Sequence, residues 1–483
     1  MNLVNLFRNK VVFYLSSRYI TYLVQFVTSL LIADKLGPYY LGVWGFVLLL
    51  LNYFGQIHFG ISTSFNILYI HNKDNEYKKN CYIANSLTLN GYLAVAVILI
   101  YIVYLCSGGT WFEKYECDKY FLLVCVIAVL QYFQQFLTFL FRVKNKLGLV
   151  ALCQSLIVVL NFAAVLLFAG ENLVYGLTFG YFFGYLTILI IAFFTRDYPC
   201  KGTFKISLTC QKEIFTKGLS LFLFNSCFYF IVISVRSLVS ANYSVEEFGI
   251  FTFSFTMAQA VMLLVESLNF IIFPKVVHRL SSPDNKEVFA MLESYRIAYI
   301  TSSHFLIYIA LLFFPLLLLL LPKYSDGLIS LNLIALSVLM NTCSAGYSTL
   351  LISRNKEVIS AFLSAGALVL NILLALCLIK LFGVTFDYVI LATLVTYLFY
   401  AIAVTYFGYR ELGVNKLVVT LKTFFPFRMM VPYLCALLIC IMKIESLIWI
   451  PVLVFVFLNT KDIKSVISMG KTIIQRPNTV DFK

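Results

Sequence analysis

The 483-residue chain is 61% hydrophobic and 12% charged, with a mean hydropathy of +0.91, which excludes a water-soluble globular protein. Its net charge of +14 is spread between apolar runs rather than gathered into one basic patch, so the basic balance reads as membrane orientation, not nucleic-acid binding.

A helix needs about 20 apolar residues to cross the hydrocarbon core. In chain order, spans are predicted at 11–33, 40–62, 82–105, 120–141, 148–169, 173–195, 215–240, 248–273, 297–321, 328–352, 358–381, 386–408, 424–442 and 446–460. The final pair is short and has Arg428 at one edge, so the expectation is twelve to fourteen transmembrane helices. Arg8 and Lys10 precede an apolar run with no A-x-A-like site after it, which reads as a retained first span rather than a cleaved signal. With the N-terminus and every second loop on one side, that side holds 28 Lys and Arg against 11 Asp and Glu; the other holds 6 against 10. The positive-inside rule makes the basic side, with both termini, cytoplasmic. Aromatic residues, 17% of the chain with many Tyr near span ends, fit interfacial anchoring.

The chain also repeats itself. Lys144-Asn145-Lys146 precedes Asn161 by the same spacing with which Arg354-Asn355-Lys356 precedes Asn371, at an offset of 210. Tyr40-Leu41-Gly42-Val43-Trp44 is echoed by Glu247-Phe248-Gly249-Ile250-Phe251 at an offset of 207. An offset of six helices predicts two parallel six-helix bundles related by pseudo-symmetry, residues 1–208 and 209–412. Residues 413–483 form an additional helical hairpin and a basic tail. The fold expected is therefore an all-α polytopic membrane protein with a cleft between two bundles, where polar features should face.

Charge inside a span costs about 2.5–3.5 kcal/mol at the helix centre. Arg18, Arg236 and Glu266 meet that description. Each arginine has two readings: a side chain snorkelling to the nearer surface, or a cation in the cleft. Glu266 has too short a side chain to snorkel and is either a neutral hydrogen-bonded group or a cavity and ion-coupling residue. At the 207 offset Arg18 corresponds to Asn225, and His58 falls one residue from the equivalent of Glu266. Arg18, His58, Asn225 and Arg236 are the candidate binding residues, because an anionic head group in a low-dielectric cavity needs cations and hydrogen-bond donors.

Catalytic signals are missing. No metal-ligand spacing or nucleophile–base arrangement stands out, and no cofactor is implied. Met469-Gly470-Lys471-Thr472 is a fragment of a phosphate-binding loop whose first glycine is replaced by Ser465. The basic tail most simply binds the anionic inner leaflet. Of the twelve cysteines, Cys106 and Cys117 are the pair expected on the outward side with the chance to bond.

Asp34-Lys35-Leu36-Gly37-Pro38-Tyr39-Tyr40-Leu41-Gly42 resembles the LGP-x-x-x-G signature of polysaccharide flippases. Ser244 to Phe251, Phe273-Pro274, Leu320 to Tyr324, and the Asn371 span followed by Gly383-Val384 resemble its later motifs. Gln56-Ile57-His58-Phe59-Gly60-Ile61 departs from the family by lacking a carboxylate. The resemblance is to the polysaccharide-transport branch of the MOP exporters, nearest to Wzx-type O-antigen or capsule-unit flippases. It implies a MATE/MOP-like fold and a bacterial inner-membrane protein. The implied cargo is undecaprenyl-pyrophosphate-linked oligosaccharide, moved from the cytoplasmic to the periplasmic leaflet by alternating access. A polysaccharide polymerase and a chain-length regulator are the implied partners beside membrane lipids. With no ATPase site, proton or Na+ coupling through Glu266 is the expected energy source. A multidrug or cation antiporter of the same fold is the alternative, with a membrane-embedded polymerase and a non-transporting scaffold behind it. The longest outward connection, Ser107 to Lys119, has thirteen residues, too few for a polymerase's catalytic loop.

Overall fold

A computed structural model describes the backbone of residues 10–72, 74–194, 206–280, 282, 284–414 and 424–475. The side chains of 10–16, 220, 221, 224, 264–275, 277, 278 and 469–475 lie outside the description. Most of the described residues are helical: α1 (Lys10–Gln56), α2 (Ile61–His71), α3 (Glu76–Cys106), α4 (Asp118–Val143), α5 (Leu147–Leu167), α6 (Gly170–Phe194), α7 (Leu208–Asn242), α8 (Val245–Leu280), α9 (Asn285–Leu320), α10 (Leu328–Thr342), α11 (Tyr347–Ser353), α12 (Glu357–Lys380), α13 (Leu391–Glu411), α14 (Phe427–Ile441), α15 (Ile450–Leu458) and α16 (Thr460–Gln475). Helix is what lipid demands, because every backbone donor and acceptor must be satisfied within its own segment. Nine described helices are long and apolar enough to cross a membrane, or ten with a bent pair at the C-terminal end counted as one span. Their outward faces are apolar: Tyr92, Val95, Leu99 and Val103 of α3 are more than half exposed, the reverse of a soluble helix.

Contacts divide the chain into two compact units: Met1–Ser226 with Ser244–Gly249, and Cys227–Tyr243 with Ile250–Lys483. In the first unit, α1 is two helices merged across a kink at Gly37 (φ 66°), with Pro38 starting the second limb. The two glycines of the 207-residue echo pack reciprocally. A Cβ on Gly42 would lie 2.1 Å from the Val245 carbonyl oxygen, and one on Gly249 would lie 1.9 Å from that of Pro38. Pro38 and Val245 are themselves 207 apart, so the two copies meet like for like. Neither position admits a side chain without moving backbone. The connection from Ser107 to Lys119 carries a short helix at Glu113–Tyr115 whose Tyr115 ring stacks 4.2 Å from Phe46. Tyr39 Oη donates to Glu116 at 2.6 Å and Lys119 Nζ donates to the other oxygen at 2.8 Å. Lys119 first, and Tyr39 after it, hold the Glu116 carboxyl below its ordinary value.

In the second unit Asn371 Nδ2 donates to the Ile231 carbonyl at 2.7 Å and to Ser234 Oγ at 3.0 Å, while its oxygen accepts from Thr393 at 3.1 Å. Asn161, its counterpart in the first unit, instead lies against Gly180, where a Cβ would sit 2.4 Å from Oδ1. The turns that precede the two asparagine helices are alike. Asn145 and Asn355 both take φ 56°, and Lys146 and Lys356 each donate at 2.8 Å to the carbonyl five residues back. An αL residue there is the natural job of Asn. The last hairpin, α14 and α15, packs on α9 through an aromatic nest around buried His304, whose ring lies 5.7 Å from Phe425 and 6.1 Å from Phe455. Tyr433 of α14 donates to the Leu336 carbonyl of α10 at 3.0 Å.

The structure decides the cysteine pairing and corrects two predicted spans. Cys117 is fully buried with its thiol 3.8 Å from the Val43 carbonyl, while Cys106 is exposed, so these two are free. The disulfide joins Cys81, at the start of α3, to Cys210, at the start of α7. Spacing could not show this, because 129 residues separate the pair. In protein purified without reductant, iodoacetamide should modify Cys106 but neither Cys81 nor Cys210 until dithiothreitol is added; peptide mass spectrometry reads the sites. Finding both alkylated at the outset would refute the bond. The spans predicted as continuous at 40–62 and 328–352 are each broken, at Ile57–Gly60 and at Cys343–Gly346. Met469 to Thr472 lies inside helix α16.

Candidate transport site

The break at Ile57–Gly60 interrupts a predicted span of the first unit. Phe59 (φ 45°) and Gly60 (φ 69°) are both left-handed, a conformation that a phenylalanine adopts only when its surroundings impose it. The imposing neighbour is α7. A Cβ on Gly60 would lie 2.5 Å from the Gly218 carbonyl oxygen, and one on Gly218 would lie 2.9 Å from that of Phe59. The two chains therefore touch backbone to backbone, with Phe59 wedged between Phe215 at 5.9 Å and Phe222 at 5.3 Å.

A broken helix leaves backbone groups to be satisfied. The Phe54 carbonyl is taken by Tyr132 Oη at 2.8 Å, and Ser226 Oγ donates to Gln56 Oε1 at 3.1 Å. One buried side-chain atom at the break, Gln131 Oε1, has no hydrogen-bond partner among the described residues, while the His58 ring lies within hydrogen-bonding reach of the Gln56 and Gly55 backbone. Gln131 reaches the break from α4, its amide nitrogen 2.9 Å from where a Gly55 Cβ would be. The His58 ring meets Phe222 edge-on at 6.0 Å. A buried polar atom without a partner is costly and calls for water or a bound group.

The predicted site residues are distributed as follows. His58 lies in the break, and Asn225 is exposed on α7, next to the Ser226 that bonds Gln56. The structure brings these two regions together. Arg18, in the first limb of α1, is half-buried and engages Tyr22, one turn on, by a hydrogen bond to Oη with the guanidinium 4.7 Å from the ring centroid. Arg236 belongs to the second unit and is only 5% exposed, its guanidinium 4.9 Å from the Phe255 ring. At that burial, the snorkelling reading of Arg236 fails: the cation is desolvated and held over an aromatic face. Glu266 lies in helix α8, but its side chain falls outside the described residues. Among the described residues no group of His, Cys, Asp or Glu could hold a metal ion.

Sequence reasoning missed Arg296. It was assigned to a cytoplasmic loop, whereas α9 begins at Asn285 and Arg296 is 2% exposed. Its guanidinium donates to Glu293 at 3.1 Å, to Tyr347 Oη at 3.3 Å, and to the carbonyls of Cys343 at 3.3 Å and Phe424 at 2.9 Å. It thereby closes the break at Cys343–Gly346 and ties it to the start of the last hairpin. The one local signal was Glu293 three residues earlier, an i,i+3 pair.

No protein-family model and no curated protein matches this sequence. Solved structures do match in fold. An inward-facing MATE-family multidrug resistance transporter of the MOP superfamily aligns with a TM-score of 0.66 at 14% identity, over 81% of this chain and 94% of its own. The lipid II flippase MurJ, in an inward closed conformation, aligns with a TM-score of 0.61 at 12% identity, over 96% of this chain and 100% of its own. A MOP superfamily transporter from Pyrococcus furiosus Vc1, described as having a binding pocket of reverse polarity, aligns at 0.60 with 14% identity, over 83% and 94%. At such identities the likeness establishes the architecture: this is a polytopic helical membrane protein with the MATE/MOP transporter fold.

Proposed function

We propose that this chain, built on the MATE/MOP transporter fold, is a flippase for undecaprenyl-pyrophosphate-linked oligosaccharide, an O-antigen or capsular repeat unit. The observation that carries the reading is the sign of the charge within its spans. Arg18 and Arg236 are guanidinium groups carried within apolar helices, a sign of charge that favours an anionic pyrophosphate cargo over a cationic drug. Asn225 and His58 supply further hydrogen-bonding groups near the break. The size of the fold match adds support: the MATE structure leaves a substantial part of this chain unmatched, whereas the lipid flippase spans nearly all of it. The bundles are assigned to 1–208 and 209–412, with the hairpin and tail at 413–483. Transport runs from the cytoplasmic to the periplasmic leaflet of a bacterial inner membrane by alternating access, with both termini cytoplasmic. Glu266 couples it to protons or Na+, and a polysaccharide polymerase and chain-length regulator act downstream.

The alternative, a multidrug or cation antiporter, draws on the likeness to MATE structures. The two separate in proteoliposomes carrying a fluorescent lipid-linked repeat unit. Arg18→Ala and Arg236→Ala should each slow translocation by at least tenfold at normal protein levels, with Glu266→Gln abolishing dependence on the ion gradient. Wild-type translocation by both arginine variants, or gradient-driven export of cationic dyes that they leave intact, would overturn the flippase reading.

A further inference from the structure

Helix α16 differs from every span before it. The segments Glu445–Leu458 and Thr460–Ser468 meet at 75°, so if α15 stands along the membrane normal, α16 lies nearly in the membrane plane. Its sequence, TKDIKSVISMGKTIIQ, is two-faced at helical spacing. Ile463, Val466 and Ile467 share one face and Lys461, Lys464 and Ser468 the other, and the sequence continues the same spacing with Ile473, Ile474 and Lys471. The start of the helix is fixed to the protein. Asp462 pairs with Arg428 at 2.9 Å, and Asn459 Nδ2 donates to the Arg428 carbonyl at 3.0 Å. The acidic residue is thereby turned inward, while Lys461 and Lys464 are exposed. Ile467 is 53% exposed and Phe457, at the end of α15, is 83% exposed, which sets apolar surface just beside the basic face.

We propose that α16 is an interfacial helix that binds the anionic phospholipid headgroups of the leaflet on its own side of the membrane. The Arg428–Asp462 pair fixes the angle, the Ile463/Ile467 edge enters the acyl boundary, and Lys461 and Lys464 meet the phosphates, with Lys471 adding a third positive charge to the same segment of sequence. Anionic lipid, rather than a soluble protein, is the occupant that fits, because exposed Ile467, Lys461 and Lys464 adjoin the exposed Phe457 at the end of the apolar helix α15. This stands apart from the identity of the cargo, and its test makes no use of transport.

The test is hydrogen exchange over residues 460–475 of the full-length protein in nanodiscs of phosphatidylcholine, with and without phosphatidylglycerol. Exchange should slow in the anionic bilayer, and native mass spectrometry should show phosphatidylglycerol retained over phosphatidylcholine. The triple change Lys461→Gln, Lys464→Gln, Lys471→Gln should erase both effects, at roughly fivefold in lipid preference per lysine. The matching Lys→Arg variant should keep both effects, which controls for misfolding. Ile467→Glu should speed exchange in either bilayer. Equal exchange in the two bilayers, or a triple variant that still selects phosphatidylglycerol, overturns the proposal.

Discussion

Replacing Arg296 with alanine is expected to destabilise the protein by about 3–5 kcal/mol, the usual cost of removing one partner from a buried charged network. The structure explains why the cost should sit near the top of that range. One guanidinium satisfies two carbonyls that no helix ladder can serve, at Cys343 in the broken tenth span and at Phe424 before the last hairpin. It also lies 4.3 Å from the Tyr347 ring and neutralises Glu293, to which Tyr347 Oη donates at 3.0 Å. Without it, Glu293 and Tyr347 keep each other, but the two carbonyls face apolar surroundings. Arg296→Lys should recover only part of the loss, since an ammonium lacks the planar fork that reaches both oxygens at once. Thermal unfolding of detergent-solubilised protein by size-exclusion fluorescence is the measurement. A melting temperature for Arg296→Ala equal to wild type would show that the network is ornamental.

The second large effect is expected at the paired glycines of the first unit. Gly249→Ala places a Cβ 1.9 Å from the Pro38 oxygen and 2.9 Å from the Gly42 nitrogen, and Gly42→Ala places one 2.1 Å from the Val245 oxygen. Backbone must move in both cases, so each should cost about 3 kcal/mol, at the upper end for overpacking, with Gly249→Ala the worse. Because both changes push apart the same two segments, the double variant should cost clearly less than the sum. Gly148→Ala, at a helical glycine with open space around its Cβ, should be neutral or slightly stabilising. Strict additivity of Gly42→Ala and Gly249→Ala would contradict a shared contact.

These two sites differ in how visible they were beforehand. Gly42 and Gly249 stood out because the motif occurs twice at a fixed offset, and repetition marks a residue even when its role is unknown. The structure supplied the reason: a side chain at either position would collide with the other copy. The Asn145 and Asn355 turns were legible in the same way, and both proved to be left-handed. Arg296 had no such mark. A charge a few residues outside an apolar run reads as solvated, and only the packing of Cys343, Tyr347 and Phe424 around it makes it a buried hub. The break at Ile57–Gly60 was equally hidden: no proline announces it, and Gly60 looks like any small residue in a span. What forces the break is the approach of Gly218, 158 residues away.

The order of apolar runs, the repeat and the contrast of loop charge were all fixed by the chain alone, because hydropathy and helix satisfaction are properties of a segment and its solvent. The solvent here is lipid, and it rewards the same segment whatever its neighbours are. Which helices break, which arginine is desolvated and which cysteines bond depend on pairs of residues from 19 to 158 positions apart. Those choices are made by backbone approach distances of a few ångströms, and no local pattern carries them.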